Sequence, residues 1–364
     1  MAANSGSGQA NSSQAKSGKM QTFGPIIGRL GKKDYSLCHV EIASVRVKLI
    51  VRISNGKTAC CLNIICFSQL VSILIDLHCH STASDGSLTP TGLLHEAQRR
   101  RLRALALTDH DTLDGLSEFL QASREVAVEA VPGIELAACE ADNHNRSYHI
   151  VGLYLTGDET QMRGLLANVI RWREERNAEI INRLNELGFK ITMEDARAQC
   201  DGAVLGRPHI AAALVANGHV PDVQKGFERL LASGKPAYIH RQLPTPAEAI
   251  TAIHSMGGAA IWAHPFTRGH FTNIQMHRIA LELKDVGLDG IEAYYPLHTP
   301  TQTRTALQIA KEFGLLVSGG SDYHGSRFKR VELGVGYGNL NVPDDLLEPL
   351  RSAVQISPKP FSTK

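Results

Sequence analysis

The chain has 364 residues, of which 43% are hydrophobic, 20% charged and 5% aromatic. That composition suits a folded core of enzyme size and excludes a disordered chain, and the length holds one large α/β domain or two ordinary ones. The net charge of +2 is unevenly spread: residues 1–72 carry nine Lys/Arg against two Asp/Glu, the remainder 29 against 34, so a mildly acidic body follows a basic leader.

Residues 1–72 read as a low-complexity basic leader, expected to be disordered or a non-native extension. Residues 2–19 contain only Ala, Asn, Ser, Gly, Gln and Lys, too polar to build a core. "CLNIICFSQLVSILI" (Cys61–Ile75) is apolar but broken by Asn63, Ser68, Gln69 and Ser72. It falls short of the about 20 residues a membrane span needs, and it lies too far from Met1 for a signal peptide. Seven cysteines form no C-x-x-C pair. Four (Cys38, Cys60, Cys61, Cys66) lie in the leader and Cys79, Cys139 and Cys200 are scattered, which points to a reducing, cytoplasmic setting without a disulfide framework.

From residue 73 onward, short β-branched or Leu-rich runs alternate with helical periods. Strands are predicted at Ile73–His78, Ala104–Asp109, Ala127–Ile134, Ser147–Tyr154, Ala259–Ala263, Gly290–Tyr294 and Leu315–Ser318. Helices are predicted from Thr89, Thr245 and Thr299, each a Thr cap followed by Pro, and Gly258 and Gly314 stop the last two. Residues 160–245 break the rhythm: Leu165, Leu166, Val169 and Ile170, then Ile180, Ile181, Leu184 and Leu187, recur at helical spacing. The expected organisation is an α/β barrel over 73–159 and 246–340, a helical insert over 160–245 and a C-terminal segment over 341–364.

Imidazoles and carboxylates gather at the strand ends. "DLHCH" supplies His78 and His80 with Asp85 beyond, "LTDHD" supplies Asp109 and His110, and "PGIE" supplies Glu135. "SYHIVG" holds His149, "WAHP" ends on His264, and "SGGSDYHG" holds Asp322 and His324. Side chains at i and i+2 of a strand point the same way, so His78 and His80 can grip one ion. Asp76 is expected to orient one of those imidazoles. In a β/α barrel the strand C-termini share one face, and this donor set suits Mn, Fe or Zn. The glycines at Gly334, Gly336 and Gly338 lack a strand–glycine–helix context and carry no dinucleotide site.

"DLHCHSTASDG", "TDHDT", "GIE", "AHP" and "SGGSDYHG", in this order, resemble the motifs of the PHP (polymerase and histidinol phosphatase) family. The insert's "GRPHIAAALV" resembles the branch of 3′,5′-nucleoside bisphosphate phosphatases that also act as 5′-to-3′ exoribonucleases on short RNA. The resemblance begins near Ile73 and leaves the leader uncovered. It implies a distorted (β/α)7 barrel with an inserted helical subdomain and three divalent ions, manganese first and iron or zinc as alternatives. One ion would take His78, His80, Glu135 and Asp322, a second would share Glu135 with His149 and His264, and a third would take Asp85, His110 and His324.

Arg207 stands at the start of a helix opening with Pro208, where a positive dipole end and a bidentate guanidinium suit phosphate. The resemblance implies that this loop binds substrate phosphate, which makes Arg207 the leading substrate-binding residue, with His209, Lys235 and Arg268 beside it and Arg173, Arg176 and Tyr238 as further candidates. Glu135, Arg207 and His209 are the expected catalytic residues, His209 being one candidate for protonating the leaving oxygen. Twelve Lys/Arg against nine Asp/Glu over 160–245 make no basic stripe for long nucleic acid, so a nucleotide or a short RNA 5′ end is the expected partner, with no membrane or protein partner. The implied reaction is hydrolysis of the 3′-phosphate of a nucleoside 3′,5′-bisphosphate, or removal of nucleotides from 5′-phosphorylated short RNA. A histidinol-phosphatase-like phosphomonoesterase and a catalytically silent, metal-stabilised binding module stay open as alternatives.

Overall fold

The computed structural model describes the backbone of residues 26–30, 33–42, 45–54 and 57–59. From residue 74 to 354 it describes all but 141–145, 201–204, 268–270 and 328–329. Contacts divide the chain into two units, residues 1–72 and 73–364. In the first, β1 (Ile26–Leu30), β2 (Lys33–Ile42), β3 (Val45–Ser54) and β4 (Lys57–Ala59) form an antiparallel ladder in chain order. Part of the leader expected to be disordered is thus strand: "VRVKLIVRIS" is rich in β-branched residues, and it pairs with both of its neighbours. The low-complexity residues 2–19 and the apolar residues 61–73 lie outside the described residues.

The second unit is built on β5 (Ile75–Asp76), β6 (Ala104–Leu107), β7 (Glu129–Cys139), β8 (Ser147–Leu153), β9 (Ala259–Trp262), β10 (Gly290–Tyr294) and β11 (Leu316–Gly319). They neighbour one another in chain order, one strand near each predicted position. The ends meet: Leu77 N–H donates to Gly319 O (3.1 Å), Asp322 N–H to His78 O (2.9 Å) and His80 N–H to Tyr323 O (2.9 Å), which closes the sheet into a barrel. One strand distorts the barrel. β8 runs antiparallel to both β7 and β9, because the few residues between Cys139 and Ser147 cannot hold the crossover of a dozen or more that a parallel return needs.

α1 (Pro90–Arg99), α2 (Leu116–Ala122), α7 (Pro246–Ser255), α8 (Asn273–Asp285) and α9 (Pro300–Phe313) contribute Leu93, Leu94, Phe119, Ile250, Ile253, Ile279 and Ile309 to the main core. The Thr-Pro starts act as read: Thr89, Thr245 and Thr299 each cap the third residue of their helix. α10 (Leu347–Ala353) brings Leu347 and Leu350 into a second core with Ile75, Leu77 and Val131.

Between β8 and α7 lie α3 (Thr160–Glu186), α4 (Met193–Arg197), α5 (Arg207–Ala216) and α6 (Val223–Gly226). α3 has 27 residues and serves two cores. Met162 and Leu166 pack into the barrel core, while Ile180, Ile181 and Leu184 join Ile210, Leu214 and Leu231 in a core of the insert. Among the described residues no helix is long and apolar enough to cross a membrane.

Candidate metal centre

The barrel rim converges on Glu135, a fully buried carboxylate on β7. Its Oε1 lies 2.5 Å from His149 Nδ1 and 2.9 Å from His264 Nε2. Its Oε2 lies 2.9 Å from His110 Nδ1, 3.3 Å from His80 Nε2 and 3.4 Å from His78 Nε2. Asp322 Oδ1 stands 3.0 Å from His80 Nε2 and 3.6 Å from His78 Nε2, and Asp85 Oδ1 stands 3.3 Å from His324 Nε2. The reversed β8 explains the position of His149. The beginning of that strand, not its end, reaches the rim, with His149 in register with Ala137.

All nine residues named from the sequence come together. Three sets of ligand atoms lie close enough to share an ion: His78, His80, Glu135 and Asp322; His80, Asp85, His110 and His324; and His110, Glu135 and His149. The first matches the expected set. The second adds His80 to the expected third set, and the last holds His110 where His264 was expected, although His264 also touches Glu135.

Divalent ions fit this donor set. His78 Nε2, both ring nitrogens of His80 and Glu135 Oε2 are buried and make no hydrogen bond. Such orphaned atoms are costly unless a ligand meets them. Burial pushes Glu135 up, but His149, His110 and His78 outweigh it and hold the carboxyl well below its usual range. Burial likewise opposes charge on His110, yet Glu135 and Asp85 raise it to about 9. A dense array of opposite charges at one rim is a centre poised for cations. Backbone strain gathers here too: Asp111 (φ 50°), His264 (φ 29°) and Asp322 (φ 53°) occupy the left-handed region disfavoured for side-chain-bearing residues.

The orienting carboxylate is not the one expected. Asp76 accepts from Ser321 N (2.8 Å), Ser321 Oγ (2.5 Å) and Gly334 N (2.7 Å), so it braces the loop before Asp322 rather than an imidazole. Asp109 does the same beside His80, accepting from Ser81 N (2.7 Å) and Ser81 Oγ (2.6 Å). Glu292 of β10 takes the orienting role: its Oε1 lies 3.1 Å from His78 Nδ1 and its Oε2 accepts His264 N–H at 2.7 Å. Tyr295, which donates to Asp322 Oδ2 at 2.9 Å, lines the 470 Å³ cavity over the centre with Ser147 and Thr267.

A second cavity, about 290 Å³, is lined by Arg173, Arg176, Arg207, Arg241, Gly206 and Phe227, and none of its lining residues is acidic. Burial, then Arg241, Arg207 and Arg173, depress Arg176 to about 10, the mark of cations crowded together. Arg207 donates to Leu231 O (3.1 Å) and lies over the rings of Tyr238 and Phe227. The helix start adds less than expected: Pro208 has no N–H, and Gly206 N–H donates to His209 Nδ1 at 3.0 Å. His209 thus caps α5 and does not line this cavity; Lys235 is exposed and does not line it either. Arg268 lies outside the described residues. Glu292, Asp111, Tyr295 and Arg241 were missed. The tripeptide "GIE" occurs twice, at Glu135 and Glu292, and was the one available signal.

Residues 76–229 match the family model described as the PHP domain. The 5′-3′ exoribonuclease of Haemophilus influenzae is 39% identical over 249 residues, covering 68% of this chain and 89% of the relative. The 3′,5′-nucleoside bisphosphate phosphatase of Chromobacterium violaceum is 33% identical over 251 residues, covering 69% and 87%. A solved structure from Bifidobacterium adolescentis, described as a metal-dependent phosphoesterase, superposes with a TM-score of 0.62 at 30% identity over 77% of this chain and 96% of that one. Likeness over nearly the whole of these relatives, joined to a rim of imidazoles and carboxylates, means that the chain belongs to the PHP family.

Proposed function

We propose that this PHP phosphoesterase hydrolyses nucleotide phosphate esters that carry a second phosphate: a nucleoside 3′,5′-bisphosphate, or the 5′-phosphorylated end of a short RNA. The observation that carries this reading is the arginine cavity, a cationic site distinct from the residues that would hold metal. A phosphomonoester needs one anion site; a second, built from four guanidiniums, suits a second phosphate. The relatives from H. influenzae and C. violaceum are named a 5′-3′ exoribonuclease and a 3′,5′-nucleoside bisphosphate phosphatase, which supports this reading.

In this reading His78, His80, Asp85, His110, Glu135, His149, His264, Asp322 and His324 would hold up to three divalent ions, with manganese the first choice and iron or zinc compatible. Such ions lower the pKa of water towards neutrality and polarise phosphoryl oxygens. The chain's residues do the rest. Glu135 bonds the His149 and His264 rings through Oε1 and Glu292 holds His78, Arg176 and Arg207 bind the remote phosphate, and Tyr295 keeps its proton on the hydroxyl. Burial, then Asp322, pushes the Tyr295 hydroxyl well above its usual range. A cytoplasmic location belongs to the same proposal.

The test is phosphate release by the full chain with Mn²⁺ from adenosine 3′,5′-bisphosphate, AMP, a 5′-phosphorylated RNA oligomer and histidinol phosphate. Preference for the bisphosphate or the RNA end, reduced about tenfold or more by Arg207→Ala, is the expected result. Release from histidinol phosphate alone overturns the substrate class. No release from any of them by protein with bound metal overturns the enzymatic reading in favour of a binding module.

A further inference from the structure

Asp111 stands between the two cavities. It follows His110 directly, so its Cα lies about 3.8 Å from that of a metal-site imidazole. Its N–H donates to Glu135 O at 2.9 Å, and its Oδ1 accepts Ala137 N–H at 3.2 Å, which ties it to β7 at the central carboxylate's own residue and two residues beyond. Its Oδ2 accepts from Arg173 Nη2 at 3.0 Å and Arg241 Nη2 at 2.6 Å. Asp111 is buried, so this bond pair differs from a solvent-screened surface bridge. One oxygen therefore fastens an arginine from α3 and an arginine from the loop before α7 to the backbone that carries Glu135 and His110. Arg176 and Arg207 bond elsewhere, to Asn177 Oδ1 and Leu231 O. Half of the arginine cavity is thus positioned from the metal centre itself.

We infer that Asp111 is a positioning residue that fixes the separation between the arginine cavity and the metal centre, so that phosphate esters bearing a second phosphate at the matching span are selected over esters with one. The inference rests on the two-anion reading above. A carboxylate that merely braced α3 against the barrel would affect all substrates alike. A spacer between two anion sites affects only substrates that use both.

The experiment measures kcat and KM of the full chain with Mn²⁺, on adenosine 3′,5′-bisphosphate and on p-nitrophenyl phosphate, for wild type, Asp111→Asn and Asp111→Glu. Metal content is measured in parallel by elemental analysis. Asn tolerates the left-handed backbone at this position and keeps the side chain's size, while Glu keeps the charge and moves the carboxylate by one methylene. The expected result is a fall of about tenfold in the ratio of kcat/KM for the bisphosphate to that for the aryl ester, in both variants, carried by KM, with metal content as in wild type. An equal fall on both substrates, or loss of metal in step with activity, overturns the positioning role. A wild-type preference retained in both variants removes Asp111 alone. Absence of any wild-type preference removes the two-anion reading and this inference with it.

Discussion

His78 and His264 are ligand-competent only if their rings and backbones are held, and both are held by Glu292. A carboxylate behind an imidazole fixes its tautomer and raises its basicity, and removing such a partner costs about 10–100-fold in metal affinity. Glu292→Gln keeps the shape and removes the charge. Its Mn²⁺ affinity, measured by competition with a chelator, is expected to fall by about that factor while the protein stays folded. The sequence pointed to Asp76 for this role because it precedes His78 by two residues. Proximity along the chain misled, since neighbours of that spacing on a strand share a face but need not touch. Glu292 lies 214 positions away and reaches His78 only when β10 folds beside β9 and β11.

Elements bring these residues to one rim through two local devices. The first is the reversed β8, whose short link from β7 makes a hairpin and delivers His149 from the strand's beginning. The second is the seam between β5 and β11, where the chain after Gly319 runs against His78. A Cβ at Gly320 would come within 2.4 Å of the His78 backbone nitrogen and of its Cβ. Gly320→Ala therefore forces apart the hydrogen bonds that close the barrel and carry Asp322 towards His80. The expected cost is about 1–3 kcal/mol, from the overpacking range, seen as a lowered Tm together with reduced metal content. A variant with unchanged Tm and full metal would show that the seam yields without penalty.

Across the whole molecule, the rim makes stability depend on pH and metal together. In metal-free protein His110 is raised from its ordinary 6.5 to about 9, burial being outweighed by Glu135 and Asp85. Its stabilising effect is fully present below 6.5 and is lost as pH rises through about 9. Asp85 is lowered to about 2, burial being outweighed by His324 and His110, so its contribution is present above 3.8 and lost as pH falls through about 2. Thermal melts in EDTA are expected to be highest between about pH 4 and 6.5 and to decline towards pH 9. Metal ligands must be deprotonated, so the rise in Tm given by Mn²⁺ is expected to grow with pH over the same range. A flat EDTA series would mean that the ion-pair array does not form without metal.

The seven strands, the Thr-Pro helix starts and the helical character of 160–245 were legible in the sequence because each rests on local periodicity and local chemistry. The residue types at the rim were legible for the same reason: imidazoles and carboxylates at strand ends stand out against an apolar run. Three things only the tertiary structure decided. The direction of β8 follows from pairing geometry, the partner of His78 comes from a distant strand, and Asp111 meets Arg173 and Arg241 across 62 and 130 positions. Those contacts depend on where the barrel and the insert place side chains in space, and no spacing along the chain encodes that distance.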